Sequence, residues 1–403
     1  MSSAPTSQPF SKSCQNIVPK TNYIEEKEDG EAYRKIDAEI CREMLPNLPK
    51  EKGWTSEHLV QYQGIWLTPT YALKAAVQLQ HHFNLFQTTG SSTSAARGSS
   101  PICFLATIPK SGTTWLRALM FATLNRSLYD AASPHHPLLT TGPHDCFPFL
   151  EMENMLGNHV HSRPVTSLDH DHDDRDSGDG MINNYVPPTS TTQLFATHLP
   201  YSLLPKSVTT SSSAYCVSKF VYVCRNPKDA FISLWKFGNK VKPVNTGLAP
   251  LSMEEAFELF CRGVYPYGPY WDHVLGFWKA SLEMPAKVLF LKYEDLRKEP
   301  STNVKRLAEF LGQPFSEEEE SKGVVQQIIK LCSFENLSSL EVNKTSRTQQ
   351  YFVKANIVFE NSDFFRKGQV GDWKNFFTDD MVKRMDQIID ERFSGSGLTF
   401  ANP

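Results

Sequence analysis

The sequence predicts an α/β fold in a single domain: a mostly parallel sheet flanked by helices on both faces. Four short, mostly apolar runs predict it first. They lie at 102–107, 193–197, 219–224 and 286–292, and they read as strands buried on both faces. Helical patterns follow the first, third and fourth of them, which is how crossovers cover a parallel sheet. The chain also has 403 residues, 40% of them apolar, enough for one large core.

The elements can be justified in order. Residues 1–50 are polar and read as a disordered or partly ordered tail, ahead of a domain over 51–400. The first 20 residues hold no acid and several Ser, but no Arg and no clear amphipathic face, so a transit peptide is not read there. Residues 53–86 are rich in aromatics and predict a helix from Thr70 to Phe83; 90–100 is a Gly/Ser/Thr-rich loop. The first strand ends at Pro109. A tight polar loop, Lys110-Ser111-Gly112-Thr113-Thr114-Trp115, leads into a helical pattern with Leu116, Leu119, Met120, Thr123 and Leu124 on one face. Strand, small-residue loop and helix point backbone N–H groups and a helix N-terminus at an anion. Lys110 adds a mobile positive charge, and Ser111, Thr113 and Thr114 add hydroxyls. The loop is not a Walker A motif, because it has one Gly and its Lys precedes that Gly by two.

Between the first two strands lies a long irregular region, read as an insertion at 157–192. Its stretch from His159 to Asp176 is rich in His and Asp. It reads as a solvated acidic loop rather than a metal site, because it lacks Cys, helical i, i+4 ligand spacing and a strand to fix geometry. No metal ligand is assigned. The second strand ends at Thr197-His198-Leu199-Pro200. The third repeats the strand–turn–helix logic: Arg225 leaves the strand end, Asn226 suits an N-cap and Pro227 the first helical position, and Ser233 lies two turns in. The fourth is followed by Tyr293. Cys332 and Phe334 come later, and Arg366-Lys367-Gly368 forms a basic, Gly-punctuated loop before a helix at 379–392.

Lys plus Arg number 41 and Asp plus Glu 44, a net charge of −3, so nucleic acid and anionic membrane are not expected partners and any anion site must be local. No apolar run approaches the roughly 18 residues of a membrane span. The eight Cys form no CxxC pair, which fits a reduced, intracellular protein, expected in the cytoplasm.

The string Pro109-Lys-Ser-Gly-Thr-Thr-Trp115 resembles the 5′-phosphosulfate loop of the cytosolic sulfotransferases, which use 3′-phosphoadenosine 5′-phosphosulfate (PAPS). Arg225-Asn-Pro-Lys-Asp229 with Ser233 is similar to that family's 3′-phosphate segment, and Arg366-Lys-Gly368-x-x-Gly-Asp-Trp-Lys to its C-terminal signature. The resemblance covers roughly 50–400 and is closest in flavour to the plant soluble enzymes, including flavonol and hydroxyjasmonate sulfotransferases, through Glu51-Lys-Gly-Trp54, Tyr62-Gln-Gly64 and Lys330-Leu-Cys-Ser-Phe334.

That resemblance implies a P-loop-like fold and a metal-free sulfonate transfer from PAPS to the hydroxyl of a small acceptor such as a flavonoid, steroid or hydroxyjasmonate. It implies that Lys110, Ser111, Gly112, Thr113, Thr114 and Trp115 hold the 5′ end of the donor. Arg225, Ser233, Arg366, Lys367 and Gly368 would hold its 3′-phosphate, and Tyr293, Cys332, Phe334 and Trp115 its adenine; each aromatic alone could equally be core. His198, in the Thr-His-x-Pro setting, matches the general base, Lys110 the group on the transferring sulfonate, and Ser233 its restraint until the acceptor arrives. One departure is Ala196, where many animal members carry a Lys that helps hold the sulfonate. The animal dimer motif is incomplete, with Asp379 and Lys383 where Val and Glu are expected, so a monomer or weak homodimer is implied. Two other classes stay open on sequence alone: a nucleotide kinase or NTPase, and a PAPS-binding or small-molecule-binding protein without turnover.

Overall fold

The structure is a computed structural model that describes residues 35–88, 101–151, 192–210, 218–241, 248–348 and 359–400. The tail up to residue 34, the insertion predicted at 157–192 as far as residue 191, with its His/Asp-rich stretch, Cys14 and Cys216 lie outside the described residues. Of the polar N-terminal region, 35–50 is described, and Ile36 and Ile40 are buried in the core there.

Strands β1 (Lys50–Lys52), β2 (His58–Tyr62) and β3 (Ile65–Leu67) form a small antiparallel sheet that the sequence pattern did not announce. Helix α1 follows at Ala72–Thr88, starting two residues later and running five residues further than its periodicity predicts. The central sheet holds β4 (Ile102–Thr107), β5 (Gln193–Thr197), β6 (Ser218–Cys224) and β7 (Val288–Lys292), all parallel, in the order β5-β4-β6-β7. The first two match their predicted limits, and β7 starts two residues late, because the N–H groups of Lys287 and Val288 are both held by the Met284 carbonyl in the turn before it.

Helices α2 (Thr113–Leu124), α3 (Pro227–Lys240) and α4 (Tyr293–Lys298) follow β4, β6 and β7. Alternating side chains of the sheet feed two cores. Phe104, Phe220 and Tyr222 pack on one face with Phe231 of α3, and Leu105, Val221 and Val223 pack on the other with Leu116 and Leu119 of α2. On the first face the Phe104 ring stacks on Phe220 with centroids 5.0 Å apart. Helix α2 is buried nearly all round, Arg117 included, and so is broader in its contacts than the one face its pattern predicts. Because β5 and β6 flank β4 on opposite sides, the chain leaves the carboxyl end of β4 at a point where connections diverge. That crevice is where open α/β sheets take ligands.

Candidate active site

A cavity of about 230 Å³ opens at that crevice. Of the residues singled out by sequence, Lys110, Gly112, Thr113, Thr114, Trp115, His198, Arg225, Ser233, Tyr293, Cys332, Phe334, Arg366, Lys367 and Gly368 all line it. Ser111 does not; it is fully buried under the loop.

The loop after β4 turns tightly. Lys110 and Gly112 both have positive φ, +69° and +112°, and a Cβ on Gly112 would stand 2.9 Å from the Tyr293 ring. The Thr113 hydroxyl shares a 2.7 Å hydrogen bond with the hydroxyl of Thr107. The Lys110 ammonium lies 3.8 Å over the Phe237 ring and 5.6 Å from that of Phe364. Burial, then the charges of Arg366 and Arg225, lower its pKa to about 7.

At the end of β6, Asn226 accepts from the Lys228 N–H and Pro227 occupies the first helical turn, so α3 is capped as its sequence predicts. Arg225 packs over Tyr293 at 4.7 Å and donates to the Gln369 carbonyl at 2.6 Å. Asp229, fully buried, accepts from the Gly371 N–H at 2.7 Å and the Trp373 N–H at 3.0 Å. It clasps the basic loop onto α3. Within that loop Asp372 accepts from Arg366 and from Lys367, the latter at 2.7 Å. Burial works to raise the Asp372 pKa, but the bonds from Lys367, Arg366 and Asn375 prevail and hold it down to about 2. Gly368 has φ +63°, and a Cβ there would press within 2.6 Å of the Phe334 ring. Tyr293 donates to the Gly368 carbonyl at 3.0 Å and meets Trp115 edge to face.

His198 sits just past β5. Its Nδ1 is 2.7 Å from the Thr107 carbonyl and 3.0 Å from the Thr107 hydroxyl. A carbonyl can only accept, so Nδ1 carries the hydrogen and Nε2 keeps the lone pair. The peptide around it is pinned: the buried Glu151 accepts its backbone N–H, and His273 donates to its carbonyl at 2.9 Å. The ring meets Phe149 at 4.7 Å and Tyr267 at 5.4 Å. Burial dominates and lowers its pKa to about 3, with His273 and Lys110 adding to the fall against the raising bond to Thr107.

Sequence reasoning missed His144, Phe149, Tyr267 and Phe364, which line the cavity from irregular segments with no periodicity to mark them. It also missed Glu151 and Thr107, whose signals are one buried acid and one strand-end hydroxyl.

Three buried donors on residues that line this site find no hydrogen-bond partner among the described residues: Trp115 Nε1, Arg225 Nε and Arg366 Nε. Buried donors are normally paired, so their convergence fits a ligand rich in acceptor oxygens, as a nucleotide with several phosphates is. A model of the sulfotransferase domain matches residues 101–397. The chain belongs to the sulfotransferase family. This sulfotransferase is 39% identical to cytosolic sulfotransferase 15 of Arabidopsis thaliana over 99% of the chain and 98% of that protein. It is 44% identical to the flavonol 4′-sulfotransferase of Flaveria chlorifolia over 90% of the chain and 98% of the relative. Its fold matches the crystal structure of a candidate steroid sulphotransferase of Arabidopsis thaliana with a TM-score of 0.59, 34% identity and coverage of 91% and 98%. Membership decides against a kinase or NTPase and makes the chain a PAPS-dependent enzyme. Among the described residues, no helix is long and apolar enough to cross a membrane.

Proposed function

We propose that the protein works in the cytosol, moving the sulfonate of PAPS to a hydroxyl of a small, largely apolar acceptor, with His198 as the general base. One observation carries this reading: a single cavity holds Lys110 and the partnerless donors of Arg225 and Arg366 together with a neutral imidazole set among the rings of Phe149 and Tyr267. PAPS supplies an activated sulfonate and a good phosphate leaving group. Arg225, Ser233, Arg366, Lys367 and Gly368 grip its 3′-phosphate, and Tyr293, Trp115, Cys332 and Phe334 enclose its base. Lys110, Gly112, Thr113 and Thr114 receive the 5′ end, where the lysine steadies charge as it grows. Ser233 restrains Lys110 until the acceptor is present.

His198 takes the acceptor proton on Nε2 while Thr107 holds Nδ1–H. Proton transfer of this kind is worth ~10²–10⁴-fold. Its low pKa in the free protein keeps the ring unprotonated, and the dianionic phosphosulfate end of the donor beside Lys110 offsets the cationic field that helps to depress it. The aromatic lining suits flat acceptors, and likeness to a flavonol enzyme supports a flavonoid or another hydroxylated plant metabolite, such as a steroid or a hydroxyjasmonate.

The test is transfer of labelled sulfonate from PAPS to a panel of such hydroxyl compounds by wild type and His198→Ala. Turnover should fall by about 10²-fold or more. The desulfated nucleotide, 3′-phosphoadenosine 5′-phosphate (PAP), should bind both proteins equally. A fully active His198→Ala enzyme at neutral pH defeats the base assignment.

A further inference from the structure

The cavity holds a second imidazole that none of these roles uses. His144 belongs to the short turn Pro143–Asp145, lines the cavity with Lys110 and Thr114, and lies against Phe364 with ring centroids 3.8 Å apart. Its main chain is fixed from below. The buried Arg117 donates through Nε to the Pro143 carbonyl at 2.8 Å and through Nη2 to the His144 carbonyl at 2.5 Å. With one face stacked and the backbone anchored, the ring sets Nε2 at 2.9 Å from the Thr114 hydroxyl oxygen.

A threonine hydroxyl has one hydrogen. If Thr114 gave it to the imidazole, only a lone pair would face a cavity lined by Lys110, Arg225 and Arg366. With the imidazole hydrogen on Nε2, the Thr114 hydrogen is free to meet an anion. Burial, Arg117 and Lys110 all push the His144 pKa well below its usual value, so the ring is neutral and carries a single hydrogen to place.

We propose that His144 is a positioning residue for the donor: its Nε2–H donates to Thr114 Oγ1 and turns the Thr114 hydroxyl hydrogen onto the 5′-phosphate end of the nucleotide. This rests on the proposed role of the 110–115 loop.

The experiment is calorimetric binding of PAP, and of adenosine 3′-phosphate, which lacks the 5′-phosphate. The proteins are wild type, His144→Phe, His144→Gln, Thr114→Val and the double variant His144→Phe/Thr114→Val. Phe keeps a ring against Phe364 and removes both nitrogens, whereas Gln restores an N–H donor. His144→Phe should bind PAP about 10-fold more weakly, as for one lost hydrogen bond, and bind adenosine 3′-phosphate as wild type does. His144→Gln should recover most of the loss, and the double variant should be no weaker than Thr114→Val alone. Wild-type affinity for PAP in His144→Phe, equal loss of both nucleotides, or additive losses would overturn the proposal. Should His144→Phe not fold, His144→Leu takes its place with the same readings. Wild-type sulfonate transfer, run in parallel, tests the underlying activity. No transfer with this binding pattern intact defeats the activity and supports His144, and transfer without the pattern defeats His144.

Discussion

Lys110 shows how a single residue is tuned by what surrounds it. Its ammonium rests over Phe237, partly desolvated and beside two guanidinium groups, and so it titrates near 7 in the free protein rather than near 10.5. Bound phosphates reverse the sign of the local field and raise that pKa. At pH 8, binding of PAP should therefore take up protons, seen as a dependence of the measured heat on buffer ionisation enthalpy. Lys110→Met should abolish the uptake; uptake unchanged in that variant would show that another group titrates. Lys110→Ala should also lower kcat by on the order of 10²-fold while changing PAP affinity less, because in the proposed mechanism its charge matters most as the leaving oxygen gains charge. Single-turnover transfer at the wild-type rate would refute it. Ala196, buried in β5, offers no second ammonium to compensate.

The elements proposed to grip the 3′-phosphate, α3 and the basic loop, are joined by one carboxylate. Asp229 lies in the first turn of α3 and accepts two N–H groups from the segment after the basic loop. Asp229→Ala removes the acceptor of the buried Trp373 N–H, which costs about 1–3 kcal/mol, and of the half-buried Gly371 N–H, which costs less. Thermal unfolding should show the loss, and PAP should bind more weakly than to wild type while adenosine 5′-phosphate, without a 3′-phosphate, binds with little change. Equal weakening for both would mean that the clasp holds the whole site rather than this loop. Gly368→Ala tests the same element from the other side. Positive φ and the 2.6 Å approach to Phe334 leave no space for a methyl, so the loop or the ring must move. We expect reduced PAP affinity, measured by titration, with the fold retained.

At the scale of the whole molecule, two cores sandwich one parallel sheet, and the site crowns its carboxyl edge. Phe220, fully buried in β6 between Phe104 and Phe277, is the kind of residue on which that architecture depends. Phe220→Ala should cost about 3–5 kcal/mol in denaturant unfolding. A loss under 1 kcal/mol would mean that the sheet repacks. PAP should raise the Tm of the intact protein without added metal, by mass action on the native state. No shift at saturating PAP would contradict the nucleotide assignment of the cavity.

The sequence alone determined the strands β4 and β5 to the residue, the cap of α3, and 14 of the 31 residues that line the cavity, because these features are local. Buried parallel strands leave unbroken apolar runs, Asn-Pro marks a helix start, and Gly marks a left-handed or crowded turn. What it could not place were contacts between segments far apart in the chain. His144 stacks on Phe364, Glu151 pins the peptide of His198, and Asp229 clasps the loop of Gly371. Ser111 shows the converse, since a residue within the loop motif is turned away from the cavity by the tight bend at Lys110 and Gly112. The order β5-β4-β6-β7 was likewise decided by tertiary structure. Hydrophobic runs say that strands are buried, whereas only the packing of the crossover helices decides which strand lies beside which, and hence which loops meet at the site.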